Sequence, residues 1–476
     1  MQDDKTDLTT GNITKKLVKL SLPIMLSNLM MTLYNLVDAF WLGKTGSSAA
    51  GAVSVVGLTF PIVFFLISFG SGFTVAGTSL IAQYKGAKNE GNIKKVIGQF
   101  VTILFVFTIF FILINELLLE PILKLLNTPT AIFDIAKKYV HIILYGMIFM
   151  FVFFTYQSIS QGFGDTVSPM KIQVITITLN IILDPLLIFG IGIFPKMGVV
   201  GAGIATLFAR ALAALIAIIF FYKKYNKFIP SLKDIIPIKS ILKKIMNISI
   251  PASLAQSATS LGFVLLQGFV NTYGVTVISA YTIGNRMIGL FMMPAMGISR
   301  GLSSMIGQNL GAKKISRAKS SVRIAFYLIF TIMTLGCAGL FFFGEQLTVF
   351  FINDPKIIAI GGRMFKIVAF AANIFGIMFV FNGVFNGSGH TKSAMFYNMA
   401  RLWLFRIPLV FLLSGKIIEI TFLKSSFLLP FFQAVALEQN TYEALWWSML
   451  ISNILSTIWA YAVYKKGDWQ VAKIYT

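Results

Sequence analysis

Long apolar runs separated by short basic stretches dominate the chain. No Asp, Glu, Lys or Arg occurs between Lys44 and Lys85, Lys95 and Glu116, or Lys138 and Asp165. The same is true between Lys244 and Arg286, Lys366 and Lys392, and Glu443 and Lys465. A helix needs about 20 predominantly apolar residues to cross the hydrocarbon core of a bilayer. These gaps, with runs broken by one or two charges, predict twelve spans centred near residues 29, 65, 106, 150, 181, 211, 258, 289, 333, 373, 404 and 454. The second and eighth exceed 25 residues and are expected to tilt, kink or project from the membrane.

Composition agrees with the pattern. Hydrophobic residues make up 57% of the 476 residues and charged ones 12%, more apolar surface than soluble cores can hide. The excess of 40 Lys and Arg over 17 Asp and Glu gives a net charge of +23, which in a soluble chain would suggest nucleic acid. Here the bases sit in loops. The stretch 85–95 holds four lysines, 223–244 holds seven, and 313–323 holds Lys313, Lys314, Arg317, Lys319 and Arg323, each after an even-numbered span. The positive-inside rule then places both termini in the cytoplasm, in a multi-pass protein of the plasma (inner) membrane with no nucleic-acid partner. Asp3, Asp4 and Asp7, with no small-residue cleavage pattern, argue against a removable signal peptide, so the first span is expected to belong to the fold. One cysteine, Cys337, and two separated histidines leave no Cys/His zinc site.

The chain repeats itself. Gln83-Tyr84-Lys85-Gly86-Ala87-Lys88 aligns with Gln308-Asn309-Leu310-Gly311-Ala312-Lys313 at an offset of 225, and Gln161–Ser168 aligns with Asn386–Ser393 at the same offset. Ser21-Leu22-Pro23 matches Ser249-Ile250-Pro251 at 228. Two six-span halves in parallel order follow: 1–222 as an N-lobe, 223–244 as a basic cytoplasmic joining loop, and 245–476 as a C-lobe. The fold class is therefore all-α, with twelve transmembrane helices in two parallel-related lobes and substrate bound between them near the midplane. The apolar stretch 415–443 has no counterpart of similar length in the first half and is expected to lie at the outer surface as an interfacial helix.

Asp38 and Asp184 are the two acids that fall inside spans, where a carboxylate costs about 2.5–3.5 kcal/mol to insert. Pairing with Arg210, Arg286 or Arg406 would be a structural explanation. The neighbours favour a site. Tyr34 and Asp38 share a helix face, and Gln173, Thr176, Asn180 and Asp184 draw a polar stripe along the fifth span that must face a cavity or another helix. Pro185 removes a backbone donor and is expected to kink the helix near Leu183–Asp184, freeing carbonyls beside the carboxylate. Two such carboxylates exchange H⁺ as their surroundings change; with Asn180 and freed carbonyls they could equally hold Na⁺, and the sequence leaves that choice open. The corresponding second-half positions, near Leu266 and Ile407, are uncharged. The C-lobe offers Gln256, Asn382 and a methionine-rich stretch, Met287, Met292, Met293 and Met296, as a pliable surface for apolar ligands. Gln157 is expected to line the substrate cavity. The loop glycines 162, 164, 387 and 389 lack a following Lys-Ser/Thr or a preceding Rossmann strand, so they read as turn devices and ATP-driven transport is not supported.

Ser21-Leu22-Pro23-Ile24-Met25, Tyr34-Asn35-Leu36-Val37-Asp38-Ala39-Phe40-Trp41 and Gln83-x-Lys85-Gly86-Ala87-Lys88 together resemble the multidrug and toxic compound extrusion (MATE) family, most closely its prokaryotic DinF-like branch. The resemblance covers essentially the whole chain. It implies a secondary antiporter that exports organic cations and amphipathic drugs in exchange for H⁺ or Na⁺, without cofactor or enzymatic activity, working as a monomer in the lipid bilayer. It also implies ion coupling by Asp38, Asn180, Asp184 and Pro185, with Tyr34, Tyr139 and Thr206 joining the network. Another prokaryotic branch carries a seventh-span acid where this chain has Gln256, which argues against a C-lobe cation site. A lipid-linked saccharide flippase of the same superfamily is the alternative; twelve spans and an acidic N-lobe weigh against it. The major facilitator architecture is disfavoured because its Gly-Asp-Arg loop motif is missing after the second span.

Overall fold

A computed structural model describes residues 6–45, 49–125, 128–415 and 441–475. Among the described residues twelve long helices follow one another: α1 (Ile13–Gly43), α2 (Ala49–Gly86), α3 (Glu90–Leu125), α4 (Thr130–Gly162), α5 (Val167–Phe189), α6 (Val199–Lys224), α7 (Lys239–Asn271), α8 (Val275–Gly311), α9 (Ile315–Phe351), α10 (Pro355–Ser388), α11 (Thr391–Leu413) and α12 (Glu443–Lys466). Each coincides with one expected span. α3 and α11 are interrupted by π-helical turns at Ile114–Leu118 and Ala400–Arg406. Among the described residues, α1 to α11 are long and apolar enough to cross a membrane. α12 is long enough at 24 residues, but buried Ser448, Ser452, Asn453 and Ser456 dilute its apolar character. Most of the expected interfacial helix at 415–443 lies outside the described residues.

Length was underestimated for several spans. Besides α2 (38 residues) and α8 (37), the helices α1, α4, α7, α9 and α10 each exceed 30 residues. At ~1.5 Å rise per residue a 37-residue helix is about 55 Å long, well beyond a ~30 Å hydrocarbon layer. On the basic face the last turns of α2, α4, α8 and α10 carry interlobe contacts. Phe105, Phe208, Leu335 and Phe342 point outward with 60–71% exposure, as a lipid-facing surface requires.

The two halves repeat in three dimensions. α2 packs on α4, α4 on α6, and α1 beside α5; correspondingly α8 packs on α10, α10 on α12, and α7 beside α11. The halves meet reciprocally, with α1 on α8, α7 on α2, and α2 against α8. Backbone geometry follows the 225-residue offset: Lys88 and Lys313 are left-handed at φ 56° and 57°, and Gly164 and Gly389 at 81° and 80°. The glycines after α4 and α10 are thus turn devices.

On the basic face the lobes are sealed by the duplicated glutamines. Gln83 Nε2 donates to the Gly387 carbonyl and Gln308 Nε2 to the Gly162 carbonyl, both at 3.0 Å. Each glutamine oxygen accepts from a terminal segment, Gln308 Oε1 from Leu8 N (2.9 Å) and Gln83 Oε1 from Ile474 N (3.2 Å). Lys85 reaches Thr6 and Phe163, and Arg317 donates to the Thr10 and Gly11 carbonyls, so both chain ends are stitched across the seam. Such close approach requires glycine: a Cβ on Gly86 would lie 1.9 Å from Gln308 O, and one on Gly311 would lie 1.9 Å from Gln83 O. Gly86→Ala and Gly311→Ala are therefore expected to destabilise this conformation by about 1–3 kcal/mol each. Gly268→Ala, where a Cβ meets nothing within 4 Å, should change little. Thermal unfolding of the three purified variants checks the order.

Candidate ion and substrate site

Three helices bring their polar side chains together through the same i, i+4 spacing: Tyr34 and Asp38 on α1, Asn180 and Asp184 on α5, Thr206 and Arg210 on α6. A fourth, α4, contributes Tyr139, Ile143 and Met147 at equal steps. Side chains four apart stack on one helix face, so each helix presents a short polar strip. α1 beside α5, α5 beside α6 and α6 beside α4 turn these strips toward one another.

Asp184 is fully buried, at 0% exposure, and Asn180 and Thr176 are nearly so. With its amide oriented to satisfy both neighbours, Asn180 donates to Asp184 Oδ2 at 3.2 Å and accepts from the Thr206 backbone N–H at 3.1 Å. Among the described residues Asp184 Oδ1 has no hydrogen-bond partner. Tyr34 Oη and Thr206 Oγ1 lie 3.3 Å apart, joining α1 to α6. Asp38 is half-buried beside them, near enough for its charge to act on Asp184, Tyr34 and Tyr139. The Thr176 hydroxyl instead bonds its own helix, to the carbonyls of Ile172 and Gln173. The stripe of α5 faces protein, as the cost of polar groups in lipid demands.

No base neutralises the pair. Among the described residues no ion pair joins Asp38 or Asp184 to Lys, Arg or His. Arg210 stands at the edge of the cluster, with Nη1 3.4 Å from the Ile143 carbonyl and 3.9 Å from Met147 Sδ. Arg406 bonds Ser452 and Asn453, and Arg286 is exposed. Pairing with these three arginines is thereby excluded in this conformation. A desolvated carboxylate with an unbonded oxygen, no paired base and a second carboxylate nearby has what is needed to take up a small cation or a proton.

The other residues singled out from the sequence lie outside these hydrogen bonds. α5 continues helically through Pro185 to Phe189, so the proline withholds a donor without breaking the helix. Met287 and Met292 are buried in the apolar core of the second half, and Met293 and Met296 are half-buried, so the methionines serve packing more than a ligand surface. Gln256 is exposed on α7, and Gln157 and Gln173 are half-buried; none hydrogen-bonds to the Asp38–Asp184 cluster. Asn382 is satisfied locally, accepting from Tyr397 Oη and Asn398 Nδ2 at 2.7 Å each. Arg210 entered the sequence reading only as a neutralising partner; its spacing four after Thr206 was the signal that it belongs to the cluster.

Relieving a lone buried carboxylate stabilises a protein even where it removes function. Asp184→Asn is expected to raise the thermal midpoint by a few degrees. Asn180→Ala, which strips Asp184 of its one hydrogen bond, should lower it. Differential scanning calorimetry or a tryptophan-fluorescence melt reads both.

The family model described as MatE matches residues 23–186 and again 251–412, once in each half. The chain is 28% identical over 396 residues to the probable multidrug resistance protein YoeA of Bacillus subtilis, covering 82% of this chain and 85% of that protein. It is 27% identical over 471 residues to YpnP of the same organism, also named a probable multidrug resistance protein, with 99% of each covered. The crystal structure of the Vibrio cholerae MATE transporter VcmN superposes with a TM-score of 0.83 over 96% of this chain and 98% of that one, at 23% identity. With twelve membrane-length helices in two repeated halves and a family model matched in both, this chain belongs to the multidrug and toxic compound extrusion (MATE) family.

Proposed function

We propose that the protein is a secondary antiporter of the plasma membrane that exports organic cations and other amphipathic compounds in exchange for H⁺ or Na⁺. The observation that carries this reading is the buried carboxylate of Asp184, one oxygen unbonded, with Asp38 beside it and no base paired to either. A cation or proton arriving from outside neutralises the pair. Its binding and that of the exported compound alternate because each is favoured by a different lobe arrangement, and only such differential affinity shifts a two-state equilibrium.

In this reading residues 1–222 and 245–476 are the two lobes, 223–244 is the cytoplasmic connection, and both termini are cytoplasmic. The glutamine seam then closes the cytoplasmic side. Opening inward breaks two symmetry-related Gln–carbonyl bonds and undocks both chain ends. Each bond has an equivalent in the other lobe, so the rocking is reciprocal. Tyr34, Asn180 and Thr206 hold the carboxylates in register, and Tyr139 and Arg210 border the cluster. The protein needs no cofactor beyond an ion gradient, and a single chain suffices.

Proteoliposomes loaded with a cationic dye test this. An imposed inward proton gradient at equal Na⁺ should drive efflux if H⁺ is the coupling ion, and an Na⁺ gradient at equal pH if Na⁺ is. Asp38→Asn and Asp184→Asn should each reduce efflux to the level of protein-free vesicles while the proteins insert normally. Asn180→Ala should impair coupling more than Gln256→Ala. Normal extrusion by either Asp variant would refute the assignment, and the opposite order for the last two would move the ion site to the second lobe.

A further inference from the structure

The second lobe hides charge of the opposite sign. Arg401 and Arg406 lie in the π-helical turn of α11 and are 2% and 4% exposed. A π-turn brings residues five apart onto one face, and such turns recur at functional sites. Each guanidinium carries five N–H donors and stays protonated. Arg406 spends two of its donors, Nε to Ser452 Oγ (3.1 Å) and Nη2 to Asn453 Oδ1 (2.8 Å), both on α12. Arg401 donates no hydrogen bond among the described residues, and its Nε is buried without a partner. Its guanidinium carbon lies 4.3 Å from the ring centroid of Phe375 on α10, so an aromatic face supports one side of the cation while the edges of the fork stay uncommitted.

No acid compensates them. Among the described residues no ion pair reaches either arginine; Glu443 pairs with Arg363, and Asp354 caps α10. Burying an unpaired charge costs several kcal/mol, and a guanidinium's planar fork matches a carboxylate or phosphate. The location adds to this. α11 is the repeat of α5, and it turns these arginines toward α12 and α10 as α5 turns Asn180 and Asp184 toward α6 and α4. The two lobes therefore bury opposite charges on repeat-related helices, though not at equivalent positions, Arg401 matching Thr176 and Arg406 matching Ile181 at the 225-residue offset.

We propose that Arg401 and Arg406 form an anion site inside the second lobe that takes a carboxylate or phosphate group of the transported compound, with Phe375 as its aromatic wall. That the anion belongs to cargo rests on the transport reading; that the site binds an anion does not. The cargo class it adds is amphipathic molecules bearing both charges, cation toward the first lobe and anion toward the second.

Equilibrium binding to the purified full-length protein in detergent tests the proposal with a xanthene dye used as its free carboxylic acid and as its methyl ester, two probes with the same cation. The wild type should bind the acid at least about tenfold more tightly than the ester, as expected for a charge-assisted bidentate contact. Arg401→Gln should bring the two within twofold, and Arg401→Lys should keep part of the preference. Equal binding by the wild type, or an undiminished preference in Arg401→Gln, would overturn the site. Should Arg401→Gln not fold, competition on the wild type replaces it: benzoate or inorganic phosphate should displace the acid dye where benzamide does not, and equal displacement would overturn the site. Phosphate displacing better than benzoate identifies a phosphorylated cargo, and the reverse identifies a carboxylate. If the preference holds but neither dye moves in proteoliposomes, the transport reading fails and the site stands. If both move and bind alike, the site fails and the transport reading stands.

Discussion

A carboxylate enclosed among membrane helices with no base beside it is under a constraint that little else in the fold can relax. Asp184 is fully buried in this conformation, and Asn180 supplies one hydrogen bond to one of its two oxygens. The charge must be neutralised by something mobile. Placing Asp38 nearby sharpens the demand, because two like charges in a poorly polarisable interior each disfavour the other's ionised form. In the proposed transport reading, the surrounding architecture meets that demand from one side of the membrane at a time.

That arrangement comes from duplication. α1 packing on α8 while α7 packs on α2 makes the interlobe surface self-complementary under the internal two-fold, so the two glutamine–carbonyl bonds that close the basic face come as a pair. Gln83 and Gln308, Gly86 and Gly311, and the ends of the chain at Leu8 and Ile474 occupy equivalent roles in the seam. The chemistry inside the lobes has not stayed symmetric. Where the first lobe kept acids, the second carries Arg401 and Arg406, and the same scaffold holds opposite charges in its two interiors.

Much of the fold was legible because lipid imposes a simple rule on sequence: apolar runs of sufficient length, with bases left in the loops. All twelve spans, the 225-residue repeat and the polar stripe of α5 follow from that rule. Span length was read less well. Helices such as α9 and α10 run on past the apolar core into segments like 315–323, where Arg317, Lys319 and Arg323 look like a loop by charge but are helical. α12 falls short of membrane-like apolarity because it turns Ser448, Ser452, Asn453 and Ser456 inward, two of which, Ser452 and Asn453, bond Arg406. At the site, the i, i+4 pairs were readable on each helix separately. That Arg210 would decline to pair with Asp184, and that the methionines would pack inward, depended on helix rotation, which spacing along one chain does not encode.

Coupled export requires Asp38 and Asp184 to give up a small cation when an organic one binds. Calorimetry in buffers of different ionisation heat, run with and without Na⁺, counts the ions released when a permanently charged phosphonium binds the purified protein. Saturable release of H⁺ or Na⁺ is expected from the wild type and none from the variant carrying both Asp38→Asn and Asp184→Asn. Saturable phosphonium binding by the wild type with neither ion released would contradict it.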